Sequence, residues 1–114
     1  MIQATTKRGY NGTIVLLVGV DVRGEVVTVR VLRHSETPGL GDGIDRDKDD
    51  WISGFDGTSL AMVPGAWAVR RDGGEFDQLT GATVTSRAVV GAVHDALVYY
   101  ERHRQAIWRE FATR

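Results

Sequence analysis

From Thr13 to Asp21 the chain is apolar and β-branched, and from Val26 to Arg33 it alternates valine or leucine with threonine or charge. Both patterns are strand signals, and the intervening VRGE supplies a turn, so the pair predicts a β-hairpin. His34 to Trp51, HSETPGLGDGIDRDKDDW, holds neither the helical nor the strand period and predicts a long structured loop. Trp51 to Phe55 then predicts a helical turn, and Trp67 to Arg71 a third strand closed by the turn RDGGE. From Ser86 the period changes. Val89, Ala92, Val93, Ala96, Leu97 and Tyr100 fall on one helical face, and Ile107, Trp108 and Phe111 resume the stripe beyond the polar ERHRQ. The last helix is therefore expected to run almost to the C-terminus. The economical architecture is an α+β domain, an antiparallel sheet with helices packed on one side.

Composition narrows the possibilities. The 114 residues make one domain, 1–114, large enough for a real core and too small for two. Basic and acidic residues are interspersed and sum to a net charge of −1, so no basic stripe exists to track phosphates, and nucleic acid is excluded as a partner. Absence of cysteine excludes disulfides, thiolate metal sites and iron–sulfur ligation. The longest apolar run, Ile14 to Val18, is far too short to span a bilayer. Met1 to Gly9 has basic residues but no apolar h-region, so it is not a signal peptide. Glycine is over-used, at 14 residues, against roughly 7% in average usage. It clusters at Gly39, Gly41 and Gly43, at Gly54 and Gly57, at Gly73 and Gly74, and at Gly81, which marks turns or places where backbone approaches something closely.

Two stretches carry candidate chemistry. In ETPGLGDG, Glu36 to Gly43, Pro38 pushes Thr37 into an extended conformation, while Gly39 and Gly41 free the backbone around Leu40. Such a loop either presents one apolar side chain and several bare amides to a ligand, or is a surface turn. In TGATVTS, Thr80 to Ser86, four hydroxyl residues surround one glycine just before the helix. A helix N-terminus capped by Thr85 or Ser86 accounts for one or two hydroxyls, but not for Thr80, Gly81 and Thr83 ahead of them. Other candidates are weaker. Asp45, Asp47 and Asp49 alternate like calcium-loop ligands, but the sixth and twelfth positions are Asp50 and Asp56 where an EF-hand needs glycine and glutamate. A solvated loop and no metal site are expected. His34 reads as a strand-end histidine, and His94 and His103 lie off the apolar stripe, facing solvent.

GYNG from Gly9, HSETPGLGDGID from His34, DWISGFDG from Asp50 and WAVRRDGGEFDQLTGATVTSRAVVGAV from Trp67 occur in an order that resembles one family. It is the FMN-binding domain family with covalently attached flavin. The resemblance is closest to the G subunits of bacterial Rnf electron-transport complexes, and more distant to the C subunits of sodium-pumping NADH:quinone reductases. It covers Gly9 to Tyr100, and Asp77 to Thr83 matches the family's flavinylation pattern D-x-x-[ST]-G-A-T.

The resemblance implies that Thr83 carries FMN as a phosphoester, placed there by a separate Mg²⁺-dependent flavin transferase that uses FAD. A threonine hydroxyl is a poor nucleophile without a neighbouring base, and no histidine stands near Thr83 in sequence. Gly81 and Ala82 would leave the hydroxyl accessible to the transferase. Asp77 and Thr80 belong to the pattern, and Thr85 and Ser86 would cradle the phosphate at the helix N-terminus, where anions are favoured. Glu36, Thr37, Leu40 and Gly41 match family positions beside the flavin, with Leu40 on the ring face. The domain would relay electrons and need no general acid, base or nucleophile of its own. Its partners would be the membrane subunits of an Rnf complex, an ion-translocating ferredoxin:NAD oxidoreductase, on the periplasmic side of the inner membrane. Intact family members begin with a transmembrane helix, so this chain is expected to be the soluble part. The alternative is a module that holds FMN or another phosphate ligand non-covalently, without a redox role.

Overall fold

A computed structural model describes residues 1–62 and 65–112, with side chains described through Glu110. The Phe111 side chain, placed by periodicity on the apolar stripe, lies outside the described part. Three strands, β1 (Ile2–Gly9), β2 (Gly12–Val20) and β3 (Val26–Arg33), form an antiparallel meander in the order β1-β2-β3. After it come short 3₁₀ turns at Gly41–Ile44, Trp51–Phe55 and Arg70–Asp72, then one helix, α1 (Thr83–Ala112). The α+β class and the hairpin of β2 and β3 are as the hydrophobic pattern predicts.

Two elements differ from that pattern. β1 is an addition to it: Ile2, Ala4 and Thr6 turn partly inward while Gln3, Thr5 and Lys7 are exposed, and it pairs with β2 from Ile2↔Val18 to Thr6↔Ile14. A strand whose inward residues are one isoleucine, one alanine and one threonine gives only a faint alternation. Conversely, Trp67–Arg71 is not a strand. Val69 makes a single bridge to Phe76, and the chain doubles back at once, with Glu75 N–H donating to Ala66 O at 2.9 Å and Arg70 N–H to Phe76 O at 2.7 Å. Gly74 is pressed against Ala68 so closely that any Cβ would collide with its carbonyl. The apolar run is real, but its partner is its own continuation.

The core lies between one sheet face and α1. Ile14, Leu16, Val18 and Val29 are fully buried with Val89, Val93 and Leu97 of the helix, each side chain contributing about 1.5–3 kcal/mol. Beside them Phe55 stacks on Phe76 at 4.8 Å and Trp67 contacts Phe76 at 4.9 Å, so the loops are anchored by aromatic packing. Gly57 N–H donates to Val26 O at 2.7 Å and Val26 N–H to Thr58 O at 2.8 Å, which covers the start of the β3 edge. No strand pairs with the outer edge of β1 among the described residues. A groove of about 980 Å³ runs there between β1 and the Ala88, Gly91, Ala92 and Tyr99 face of α1.

The far end of the helix is pinned to the β2–β3 turn. Tyr100 Oη donates to Val22 O at 3.1 Å, Arg104 to the same oxygen at 2.6 Å, and Trp108 Nε1 to Tyr100 Oη at 2.7 Å. This sets the near end, Thr83, beside the opposite β1–β2 turn. Among the described residues no helix is long and apolar enough to cross a membrane.

Candidate functional site

The glycine loop and the hydroxyl cluster meet at the start of α1. Thr37 O accepts the Leu40 and Asp42 amides at 3.1 and 3.3 Å, and Gly39 turns the chain with φ +79°, so Leu40 is held at the loop's crest, 45% exposed. It leans over Gly81, where a Cβ would stand 3.0 Å from Leu40 Cδ2, and where φ is +74°. Gly81 therefore answers both requirements of glycine, a left-handed backbone and a close approach. Gly41 is equally confined: a Cβ there would lie 2.8 Å from Thr85 Oγ1 and 2.9 Å from Glu36 Cβ. Gly43 lies against Leu79 in the same way, at 2.9 Å from Leu79 Cδ2. The two stretches that stand out in the sequence are one surface.

Glu36 joins them. Its carboxylate is 5% exposed and accepts three hydrogen bonds: from Tyr10 N–H at 2.9 Å, Asn11 N–H at 2.8 Å and the Thr85 hydroxyl at 2.6 Å. Its own amide donates to His34 Nδ1 at 3.0 Å, which gives His34, at the end of β3, a fixed place under the loop. Asn11 Nδ2 donates to Thr37 Oγ1 at 3.0 Å, a second tie between the β1–β2 turn and the loop. The carboxylate expected to contact a ligand thus has its oxygens turned into the protein.

The four hydroxyls divide into two pairs. Thr85 and Ser86 are buried, at 1% and 0% exposure. Thr85 gives its hydrogen to Glu36, and Ser86 Oγ donates to Ala82 O at 2.8 Å while accepting Leu79 N–H at 3.0 Å. Both O–H groups, expected to cradle a phosphate, are here committed to protein acceptors, and they hold the turn in shape. Thr80 is exposed and Thr83 half-buried, and neither hydroxyl has a partner among the described residues. The helix start is itself uncapped. Ser86 N–H donates to Ala82 O at 3.0 Å, the first helical bond, which makes Ala82 the N-cap residue. Alanine has no side chain to satisfy the next amides, a deficit of about 1 kcal/mol relative to serine or aspartate. The N–H groups of Thr83, Val84 and Thr85 have no acceptor among the described residues. Three amides and a hydroxyl without partners among the described residues stand at the positive end of a 30-residue helix.

The remaining candidates fall around this centre. Asp77 sits outward: its carboxylate pairs with Arg70 at 2.9 Å, both well exposed, and its carbonyl accepts Trp51 Nε1 at 2.7 Å. A cleft of about 440 Å³ runs from Asp49 and Asp50 past Trp51 to Thr80. Asp45 and Asp49 use their carboxylates on local turns, accepting the Asp47 and Trp51 amides at 3.2 and 2.9 Å, and no cluster of three metal-ligating residues occurs among the described residues. His103 is exposed and stacks on Tyr99 at 4.1 Å, and His94 is partly exposed, with its ring 5.8 Å from that of Trp67. Near the helix start Arg87 grips Asp72 through two bonds of 2.7 and 2.8 Å; the hydrogen bond from Arg87, followed by its charge, holds the Asp72 carboxyl below its usual range.

Sequence reasoning missed Tyr10 and Asn11. They act through backbone amides, which no residue-type pattern reveals. Their only signal is GYNG, a turn whose neighbour in space cannot be read from the chain.

The FMN-binding domain family matches residues 9–98. A protein of Pseudomonas aeruginosa, named as the G subunit of an ion-translocating oxidoreductase complex, is 54% identical over 108 residues, 94% of this chain and 50% of that protein. Proteins of the same name from Shewanella loihica and Cereibacter sphaeroides are 53% and 55% identical over 100 residues, covering 87% of this chain and 47% and 46% of theirs. The chain spans about half the length of these relatives. The matched segment runs from the turn that feeds Glu36 to the helix that starts at Thr83, and the chain belongs to the FMN-binding domain family.

Proposed function

We propose that this chain is the FMN-carrying redox domain of the G subunit of an ion-translocating oxidoreductase complex, with the flavin joined through its phosphate to Thr83 Oγ1. One observation carries the reading: Thr83 is the first residue of α1, its hydroxyl is unpartnered among the described residues, and the three amides beside it lack acceptors there. The residues suit the group. A phosphodiester at Thr83 keeps one negative charge, which a helix N-terminus favours by about 0.3–1 kcal/mol, and its oxygens can take the amide hydrogens that Ala82 leaves unsatisfied. Leu40, exposed over Gly81, offers an apolar surface for the ring. Thr85, Ser86 and Glu36 hold these parts in place, and Thr37, Gly41 and Asp77 shape the surroundings.

Attachment would need a partner enzyme, since no base is hydrogen-bonded to the Thr83 hydroxyl among the described residues. A Mg²⁺-dependent flavin transferase would supply it: the threonine oxygen would bond to the FMN phosphorus of FAD as the P–O–P bond broke, AMP would leave, and the hydroxyl proton would pass to the transferase. Bound FMN brings the electron chemistry; the chain contributes binding, orientation and electrostatics. Membrane subunits of the complex would be the electron partners, with this domain on the periplasmic side of the bacterial inner membrane.

The test is the intact mass of protein produced with and without a flavin transferase, followed by peptide mapping. A gain of one FMN less one water, located on Thr83 and lost in Thr83→Ala, is the expected result. Label on Thr80 would move the attachment by one turn. FMN retained only reversibly would favour a non-covalent binding module.

A further inference from the structure

We propose that the buried Glu36 carboxylate is a positioning and specificity-determining residue of the flavin site: it withholds Thr85 from modification and fixes the Leu40 loop against the start of α1. The inference rests on the proposed attachment at Thr83 and deepens it.

Flavin transfer requires a hydroxyl oxygen that can reach phosphorus in line with the leaving group. TGATVTS offers four, and chemically Thr80, Thr83 and Thr85 are the same group. Something other than residue type must choose. Ser86 is disposed of locally, because its hydroxyl is bonded to Ala82 O, one helical turn back. Thr85 has no such local partner. It lies on the inward face of α1, 1% exposed, and there it donates at 2.6 Å to Glu36, a residue 49 positions away. Glu36 is the acceptor of its hydrogen.

Glu36 is itself over-determined. The two amides of the β1–β2 turn bind it at 2.9 and 2.8 Å, so its position is set by the sheet rather than by the freedom of its own side chain. The sheet thereby reaches through Glu36 to the second residue after Thr83. The same residue sets the loop, since Gly41 leaves no room for a Cβ beside Glu36 Cβ and Thr85 Oγ1, and Leu40 immediately precedes Gly41. One group therefore registers the hairpin turn, the apolar crest and the acceptor hydroxyl against one another. Charge adds to the effect. Three hydrogen bonds to a carboxylate are charge-assisted and about twice as strong as neutral ones.

Three variants test this, each produced with a flavin transferase. Glu36→Gln keeps the shape but points an amide group at hydrogen-bond donors. Thr85→Val keeps the bulk and leaves Glu36 tied to the turn. For Glu36→Gln we expect labelling of Thr83 to slow by about tenfold or more, as misplacement of a reacting group by an ångström can do. Part of the label should appear on Thr85, and the absorption spectrum of the attached flavin should shift. For Thr85→Val we expect label on Thr83 alone, with a shifted flavin spectrum because the loop has lost its tie. Glu36→Asp, retaining charge, should restore part of the rate. Wild-type rate, sole labelling at Thr83 and an unchanged spectrum in Glu36→Gln would overturn the proposal. If Glu36→Gln does not fold, Thr85→Val decides alone: an unchanged spectrum overturns the proposal and a shifted one supports it. If the wild type takes no label, covalent attachment is the reading that fails. FMN titration of the same variants then decides on Glu36, weakened affinity supporting its role and unchanged affinity overturning it.

Discussion

Alanine at Gly41 should break the contact between loop and helix without touching Thr83. The added Cβ would stand 2.8 Å from Thr85 Oγ1 and 2.9 Å from Glu36 Cβ, whereas carbon atoms pack favourably at about 3.5–4.0 Å. Neither neighbour yields easily. Both are buried, and Thr85 cannot rotate away without giving up its bond to Glu36. Overpacking of this kind costs about 1–3 kcal/mol, and loss of a hydrogen bond to a charged group about 1.5–3 kcal/mol. The chain will relax along the cheaper combination, so about 2–4 kcal/mol is expected. In a domain of this size that lowers the unfolding midpoint by roughly 10 °C. Urea unfolding followed by circular dichroism gives the free energy directly, and the slope should not change. Gly39→Ala is the control. It has open space around its Cβ but φ +79°, so its cost is backbone strain of about 1–2 kcal/mol, and flavin labelling should persist. A Gly41→Ala protein within about 0.5 kcal/mol of the parent would refute the reasoning, because it would mean that loop and helix separate freely.

Three further outcomes are expected. Leu40→Ala should leave labelling at Thr83 largely intact but change the absorption spectrum or midpoint potential of the flavin; no change in either would remove the loop crest from the site. Since Asp72 has a lowered folded value, the stability it contributes is present above the ordinary carboxylate range and is lost as pH falls through that lowered value. Asp72→Asn should therefore flatten the acid limb of a thermal-midpoint profile, and an unaltered limb would count against the Arg87 pair. Finally, the unpaired β1 edge and the groove beside it are open to pairing between chains. Light scattering should show mass rising with concentration, and a constant monomer mass would show that the edge is sealed.

What the sequence makes legible depends on how far the cause lies from the effect. The α1 stripe from Val89 to Tyr100 is a local periodicity enforced by one packing surface, so it reads directly, as do the β-branched runs of β2 and β3. β1 is invisible because an edge strand buries little, and its threonines and Lys7 speak equally for a loop. Trp67–Arg71 misleads for the opposite reason: its apolar residues serve an aromatic cluster, with Trp67 against Phe76, rather than a sheet. At the site, Thr83 is singled out by a motif that resemblance can recognise. The commitment of Thr85 to Glu36 cannot be read, because both residues have a plausible outward role and their partnership crosses 49 positions.

That distance bears on how the protein matures. Glu36 closes contacts over 25, 26 and 49 residues, and no short peptide containing TGATVTS reproduces them. Long closures form late, after the entropy of the intervening chain has been overcome by the rest of the core. The proposed attachment point would thus be present as a sequence from the moment of synthesis, but as a shaped surface only once the hairpin, the loop and the helix have docked. A transferase that reads the surface would act only on finished domains, and flavin on this chain would then be a chemical record that folding had been completed.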